Sequence, residues 1–493
     1  MNPKRVSQAL VFLLVFALAA KADVRLPALF SDNLVLQQSA RVPVWGWADD
    51  GEEVTVSFRG QQVSAKTKNG KWRVQLRALS AGGPDTLVVE GKNKIELKNV
   101  LVGEVWVCSG QSNMELAMKQ SFESAADIAA SANPQLRLFV VPKTKAAAPR
   151  DDVKGRWQEA GPETTPAFSA VAYYFGRELQ KARNVPVGLI ETCWCGSPAE
   201  AWMSETSLAS NPDYKRDMLE AYTAALHKYE TAQPKAPRPP WKPAELYNGM
   251  IAPLVPYAIK GAIWYQGESN AGRAQQYRTL FPDLIRDWRR DWREGNFTFL
   301  AVQLAPYDKN RKRPLEVITE KPDESDWAEL REAQCLATKV LPKVGMAVIT
   351  DLGEKDDIHP KKKEPVGARL ALAARGMAYR EKIEFYGPIY SSMKVKGDKA
   401  IISFDHIGGG LEARGGDLTG FAICGPDKTF VWAKAEIQGD TVVVSSPPVV
   451  QPVAVRYGWA DFPVVNLWNK DGLPASPFRT DNFSMITARK GSP

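Results

Sequence analysis

Three times between Gly103 and Tyr277 a short, mostly apolar run ends in a loop of small and amide side chains and then gives way to helical spacing. Glu104 to Cys108 enters SGQSNM, Val187 to Thr192 enters CWCGSPAEAW, and Gly261 to Tyr265 enters QGESNAGRAQQY. Short runs that are apolar at nearly every position suit strands buried on both faces. Such strands, alternating with helices, imply a parallel sheet with helices packed on it, whose functional loops leave the strand C-terminal ends. The same alternation continues downstream. An amphipathic stretch covers Ala274 to Arg293, and Phe297 to Gln303 reads as a strand. Asp326 with Glu329 suggests a capping box opening a helix through Cys335. Gly345 to Thr350 is a last strand and Pro365 to Ala378 a final helix.

Both ends of the chain follow a different period. From Val42 to about Val100 apolar residues alternate with polar ones, and Asn69-Gly70 between two alternating runs predicts a hairpin, because a type I′ turn needs positive φ at both central positions. Short alternating runs return after Glu381, including Thr441 to Val444 and Val453 to Tyr457. At 493 residues the chain exceeds what one core usually serves, so several domains are expected. The fold class is therefore α/β, a parallel sheet flanked by helices with antiparallel β regions at the N- and C-termini. The expected units are residues 23–101, 102–381 with a helical insertion at 205–246, and 382–493. Ala305 to Glu324 is expected as a charged loop.

Residues 1–22 have the layout of a cleavable signal peptide. Lys4 and Arg5 precede an apolar run from Ala9 to Ala20, and Ala20-Lys21-Ala22 offers small residues around the cut. The run is too short to span about 30 Å of hydrocarbon. A secreted or periplasmic product beginning at Asp23, with no membrane association after cleavage, is expected. Loss of Lys4, Arg5 and Lys21 reduces the formal charge from +8 to +5. The remaining Lys and Arg are interspersed with acids, and no basic stripe marks a nucleic-acid site. Five cysteines, none at metal-ligand spacing, indicate neither a metal centre nor a particular disulfide. No feature sets an oligomeric state.

A serine hydroxyl is a weak nucleophile until a base takes its proton, most often a histidine. The chain has three histidines. His227 lies in the helical insertion and His406 in the C-terminal β region, whereas His359 follows the last strand of the α/β region, in DLGEKDDIHPKKK. Ser112, in the loop after Cys108, is then the candidate nucleophile. Asp356, three residues before His359, is the candidate acid that fixes the imidazole tautomer, and Asp357 is the alternative. The loops holding Gly196 and Gln266 to Asn270 have the N–H groups and amides that an oxyanion needs. The lysines around Asp356 and Asp357 also suit a solvated turn.

GQSNM at Gly110 to Met114, WYQGESN at Trp264 to Asn270 and DIHP at Asp357 to Pro360 together resemble the sialate O-acetylesterase family, part of the wider group of SGNH-type serine esterases. LPALFSDNLVLQ, GSPAEAW, LYNGMIAPL and VVNLWNKDGLPASPFRT extend the resemblance over nearly the whole mature chain. It implies a carbohydrate esterase acting on acetylated sugars without metal or organic cofactor. Carried over by motif, Ser112 is the nucleophile and His359 the base. The backbone N–H groups of Ser112 and Gly196 are oxyanion donors, with Gln266 as the third. Gln111, Glu268, Asn270, Arg273 and Trp202 are the expected supporting or substrate-binding residues. CWCG stands where the family usually has a Gly-Gly pair, so Cys195 replaces a glycine beside the oxyanion loop.

Overall fold

The computed structural model describes residues 23–231, 237–310 and 312–488; the expected signal peptide at 1–22 lies outside the described residues. At its centre six strands run parallel: β1 (Lys94–Gly110), β2 (Asn133–Val140), β3 (Val187–Cys193), β4 (Gly261–Tyr265), β5 (Thr298–Val302) and β6 (Val344–Ala347). Their order across the sheet is β6-β5-β4-β1-β3-β2, and Gln158–Ala160 adds an antiparallel edge beside β2. β3, β4, β5 and β6 are buried at every position, which is why their sequences do not alternate. β2 escapes the sequence reading because NPQLRLFV has only a four-residue apolar core containing Arg137.

Four helices cover the sheet. α1 (Ala170–Arg183) and α4 (Glu364–Met377) pack on one face, and α2 (Ala274–Trp292) and α3 (Asp326–Val340) on the other. Ser169 caps α1 by accepting from the Ala172 N–H, and Asn184 ends it in the left-handed region at φ 50°. For α3 the structure corrects the expected capping box. The cap is Ser325, whose Oγ accepts from the Ala328 N–H at 2.9 Å, while Glu329 points away to hold the Ile486 and Thr487 N–H groups. A carboxylate already holding two N–H groups of the C-terminal segment has no reason to reach back to its own helix start.

The N-terminal unit holds a second correction. Asn69 and Gly70 both have positive φ, and Lys68 and Lys71 exchange backbone hydrogen bonds across them, so the two-residue turn forms. The strands it joins do not pair as a hairpin: Lys71–Leu76 pairs with Val42–Trp47, and Gln61–Lys66 pairs with Glu53–Phe58. The turn passes the chain from one sheet to the other. Gly82–Glu90 then pairs antiparallel with the first half of β1, whose second half is the centre of the parallel sheet. Positions 101 and 102, where the sequence pattern changes, thus lie inside one unbroken strand.

Residues 205–231 are helical, and 305–310 and 312–324 are irregular apart from a turn of helix at Leu315–Ile318. Antiparallel sheets return from Ile389 onward, around their own core.

Candidate active site

Register brings the three loops to one level. Gly110, the last residue of β1, lies opposite Cys193 at the end of β3 and Tyr265 at the end of β4. The chain must then turn sharply. Gly110 has φ +145°, and a Cβ there would come within 2.2 Å of the Tyr265 carbonyl oxygen. Both neighbouring strands fasten the turn: Gln111 N donates to Tyr265 O at 3.0 Å, and Trp194 N donates to Gly110 O at 3.1 Å. Ser112 is the first residue of a one-turn helix, Ser112–Glu115, and is half-buried.

Among the described residues, the N–H groups of Ser112 and Gly196 donate to no protein acceptor. Gly196 has φ +72° with open space where a side chain would be. Its loop is held from below by a buried amide chain. Gln266 Nε2 donates to Ser197 O at 3.2 Å and to Asn270 Oδ1 at 2.7 Å, while its Oε1 accepts from the Tyr277 hydroxyl at 2.9 Å. Asn270 Oδ1 also accepts from Ala199 N, and its Nδ2 donates to Glu200, which Arg273 holds at 2.6 Å. Gln266, expected as an oxyanion donor, has therefore spent both amide hydrogens inside the protein. Its motif places a rigid support there, with Asn270 and Arg273 as further members. Of the supporting and substrate-binding roles open to Trp202, the structure places it in the first: it is fully buried, donates to Ser197 Oγ, and packs edge-on against Trp264.

Gln111 Oε1 accepts from Ser269 N at 3.3 Å, and Gly267 N approaches it at 3.5 Å. Its Nε2 donates to nothing among the described residues. Cys195 is exposed; its N–H donates to Glu115 Oε2 at 2.6 Å, and its thiol is free, like the other four.

His359 follows β6 and is reached through Asn113, the residue after Ser112. Asn113 Nδ2 donates to the carbonyl of Ile358, the residue before His359, at 2.9 Å. The two reactive segments are thus pinned one residue from Ser112 and one from His359. The acid is where the structure departs from the first choice. The Asp356 carboxylate pairs with Lys355 Nζ at 2.6 Å and accepts from Lys312 N, facing the 305–324 loop. Asp357 faces the imidazole: its Oδ1 accepts from His359 N at 2.9 Å and lies 3.8 Å from Nδ1. The reason is local. Asp357 N bonds back to Glu354 O, closing a turn that directs residue 357 inward and residue 356 outward.

Burial lowers the His359 pKa below its ordinary 6.5, and the Lys363 charge acts in the same direction while Asp357 opposes them. The imidazole is therefore neutral near pH 7, the state a general base needs. Of the other histidines, His227 is exposed and His406 pairs with Glu384 in the C-terminal β region.

Two members of the site were not singled out by sequence. Asn113 also donates to Glu268 at 2.6 Å and accepts from Lys363 at 2.6 Å. Lys363 ends a run of three lysines that reads as a solvated surface, and nothing in composition separates the third from the others. A helical period carried back from α4 would have placed it one turn before the buried Gly367.

The arrangement has counterparts in known proteins. The chain is 30% identical to human sialate O-acetylesterase, over 96% of this chain and 97% of that one, and 28% identical to the mouse protein of the same name, over 95% and 97%. A crystal structure of a carbohydrate acetylesterase from Xanthomonas citri is 40% identical, with a TM-score of 0.84, over 94% of this chain and all of that one. Residues 102–375, from the middle of β1 to the end of α4, match the pattern of the carbohydrate esterase, sialic acid-specific acetylesterase family. With the fold, the loop register and these relatives in agreement, the chain belongs to that family and is a carbohydrate acetylesterase.

Proposed function

We propose that this acetylesterase removes O-acetyl groups from sialic acids through an acyl-enzyme formed on Ser112. His359 takes the Ser112 proton as Oγ attacks the acetyl carbonyl, and the negative charge gathers on the carbonyl oxygen between the N–H groups of Ser112 and Gly196. The Gln111 amide nitrogen, uncommitted within the protein, is the third donor in place of Gln266. As the tetrahedral intermediate collapses, His359 gives its proton to the sugar oxygen, which leaves as the alcohol. Water activated by the same imidazole then releases acetate and restores Ser112. Asp357 is the acid in this reading, because its carboxylate and not that of Asp356 faces Nδ1.

The observation that carries the reading is the Asn113 to Ile358 hydrogen bond, which fastens the nucleophile turn to the histidine loop across 245 positions of sequence. The sialate assignment is supported by the names of the human and mouse relatives. A second reading, another acetylated glycan such as acetylated xylan, is favoured by the higher identity to the Xanthomonas citri enzyme, whose name specifies no sialate. Acetate release from O-acetylated sialic acids and from acetylated xylo-oligosaccharides separates the two. Sialate turnover at least tenfold faster is expected, and the reverse order would transfer the assignment. Ser112→Ala should abolish hydrolysis of an aryl acetate while the protein stays folded; unchanged turnover would remove Ser112 from the mechanism.

A further inference from the structure

Lys363 immediately precedes α4 and is fully buried. Its Nζ donates to Asn113 Oδ1 at 2.6 Å and lies 5.1 Å from the centre of the Tyr265 ring. Around it, Glu268 Oε2 and the Tyr265 hydroxyl are buried without a hydrogen-bond partner. An ammonium in such a place costs several kcal/mol of desolvation, only partly offset by one amide oxygen and an aromatic face. A methionine would fill the same volume without that cost.

What the ammonium provides is direction. It has three donors and no acceptor, so only the oxygen of the Asn113 amide can face it. On the other side a Glu268 oxygen accepts from Asn113 Nδ2. Held from both ends, the amide cannot flip, and Nδ2 must also face the Ile358 carbonyl. We propose that Lys363 is a positioning residue: by fixing the Asn113 amide it sets where His359 stands relative to Ser112. Its charge also adds to burial, against Asp357, in keeping that imidazole neutral. The proposal rests on Ser112 and His359 as nucleophile and base.

The ionisable groups facing Lys363 are Glu268 from the loop after β4, Tyr265 from β4, and Glu354, Asp357 and His359 from the loop before α4. Burial brings Lys363 down to about 7 against the pull of the three carboxylates, and burial also brings His359 below 6.5. Burial likewise raises Glu268.

Three readouts on the full chain test this with Lys363→Met and Lys363→Gln, which lose the charge while Gln keeps a donor. With an aryl acetate, Lys363→Met should lower kcat about 10- to 100-fold with KM little changed, as expected for a misplaced base. Lys363→Gln should recover to within about tenfold of the unmodified protein. The thermal midpoint of Lys363→Met should change little, since the desolvation relieved and the Asn113 oxygen left without a donor act in opposite directions. The His359 titration, followed by NMR and assigned with His359→Gln, should move to higher pH in both variants, since a positive neighbour is lost. A lower thermal midpoint with His359 titrating as before would reduce Lys363 to packing and overturn the proposal, as would unchanged kcat with an unchanged titration. Failure of the esterase reading would appear separately, as an unmodified protein inert toward aryl acetates, and the NMR titration decides the role of Lys363 without turnover.

Discussion

Asp356 and Asp357 are adjacent and chemically identical, yet their carboxylates face in opposite directions, toward Lys355 and toward His359. Asp357→Asn should reduce kcat on the order of 10²–10⁴-fold, because the imidazolium formed during acyl transfer loses its counter-charge. Asp356→Asn should stay within about threefold. Kinetics of the two variants with one aryl acetate check the pair, and equal losses would return the acid to dispute. The acid limb of kcat/KM reports the same histidine. His359 must be neutral to act, and its pKa is below 6.5, so activity should rise through a midpoint below 6.5 and level off above it. At this scale the sequence is least informative: a spacing of three against two residues cannot say which side of a turn a carboxylate occupies, and the Glu354 to Asp357 backbone bond decides it.

At the scale of elements, the site depends on how tightly β1 turns. Gly110→Ala places a methyl 2.2 Å from the Tyr265 carbonyl in a conformation that alanine disfavours, and should destabilise by at least about 3 kcal/mol. Gly196→Ala meets open space and carries only the left-handed cost, about 1–2 kcal/mol. Urea unfolding of the two variants should show this order, and similar midpoints would refute the steric account. The three strand–loop–helix units were legible because buried strands and amphipathic helices impose different periods. Gln266 reads as an oxyanion donor because an amide beside a catalytic loop looks the same whether it serves substrate or scaffold; only Tyr277 and Ser197 reveal which. The Asn69-Gly70 turn was legible as a turn, but the pairing of its flanking strands is decided by which sheet buries Trp72, Val74 and Leu76.

For the whole molecule, the C-terminal β region is tied to the α/β core through buried polar groups. Arg331, on α3 and fully buried, donates to the carbonyls of Leu304 and Ala305 on its own side and of Ala460 and Asp461 across the boundary. Arg331→Met would leave the Leu304 and Ala460 carbonyls without a donor, at about 1–3 kcal/mol for each one that stays dry, while Ala305 O keeps Trp327 Nε1 and Asp461 O keeps Tyr307 N. A marked drop in thermal midpoint is expected, with faster amide hydrogen exchange around residues 454–461. Protection there equal to that of the unmodified protein would show that the region is held by other contacts. None of this was visible in the sequence, where Arg331 is one basic residue in a helix of mixed charge. Its partners across the boundary are backbone oxygens about 130 positions away, and backbone carries no composition.

The seventeen residues from Lys94 to Gly110 form a girder shared by two rooms of the molecule. Sliding this strand by one position to accommodate a change near Lys94 would turn every downstream side chain to the opposite face and carry Gly110 away from Tyr265. The N-terminal sandwich is therefore a clamp on the register of the reactive turn, and a graft that replaced it would have to reproduce its pairing with β1, and not merely its shape, to leave hydrolysis intact.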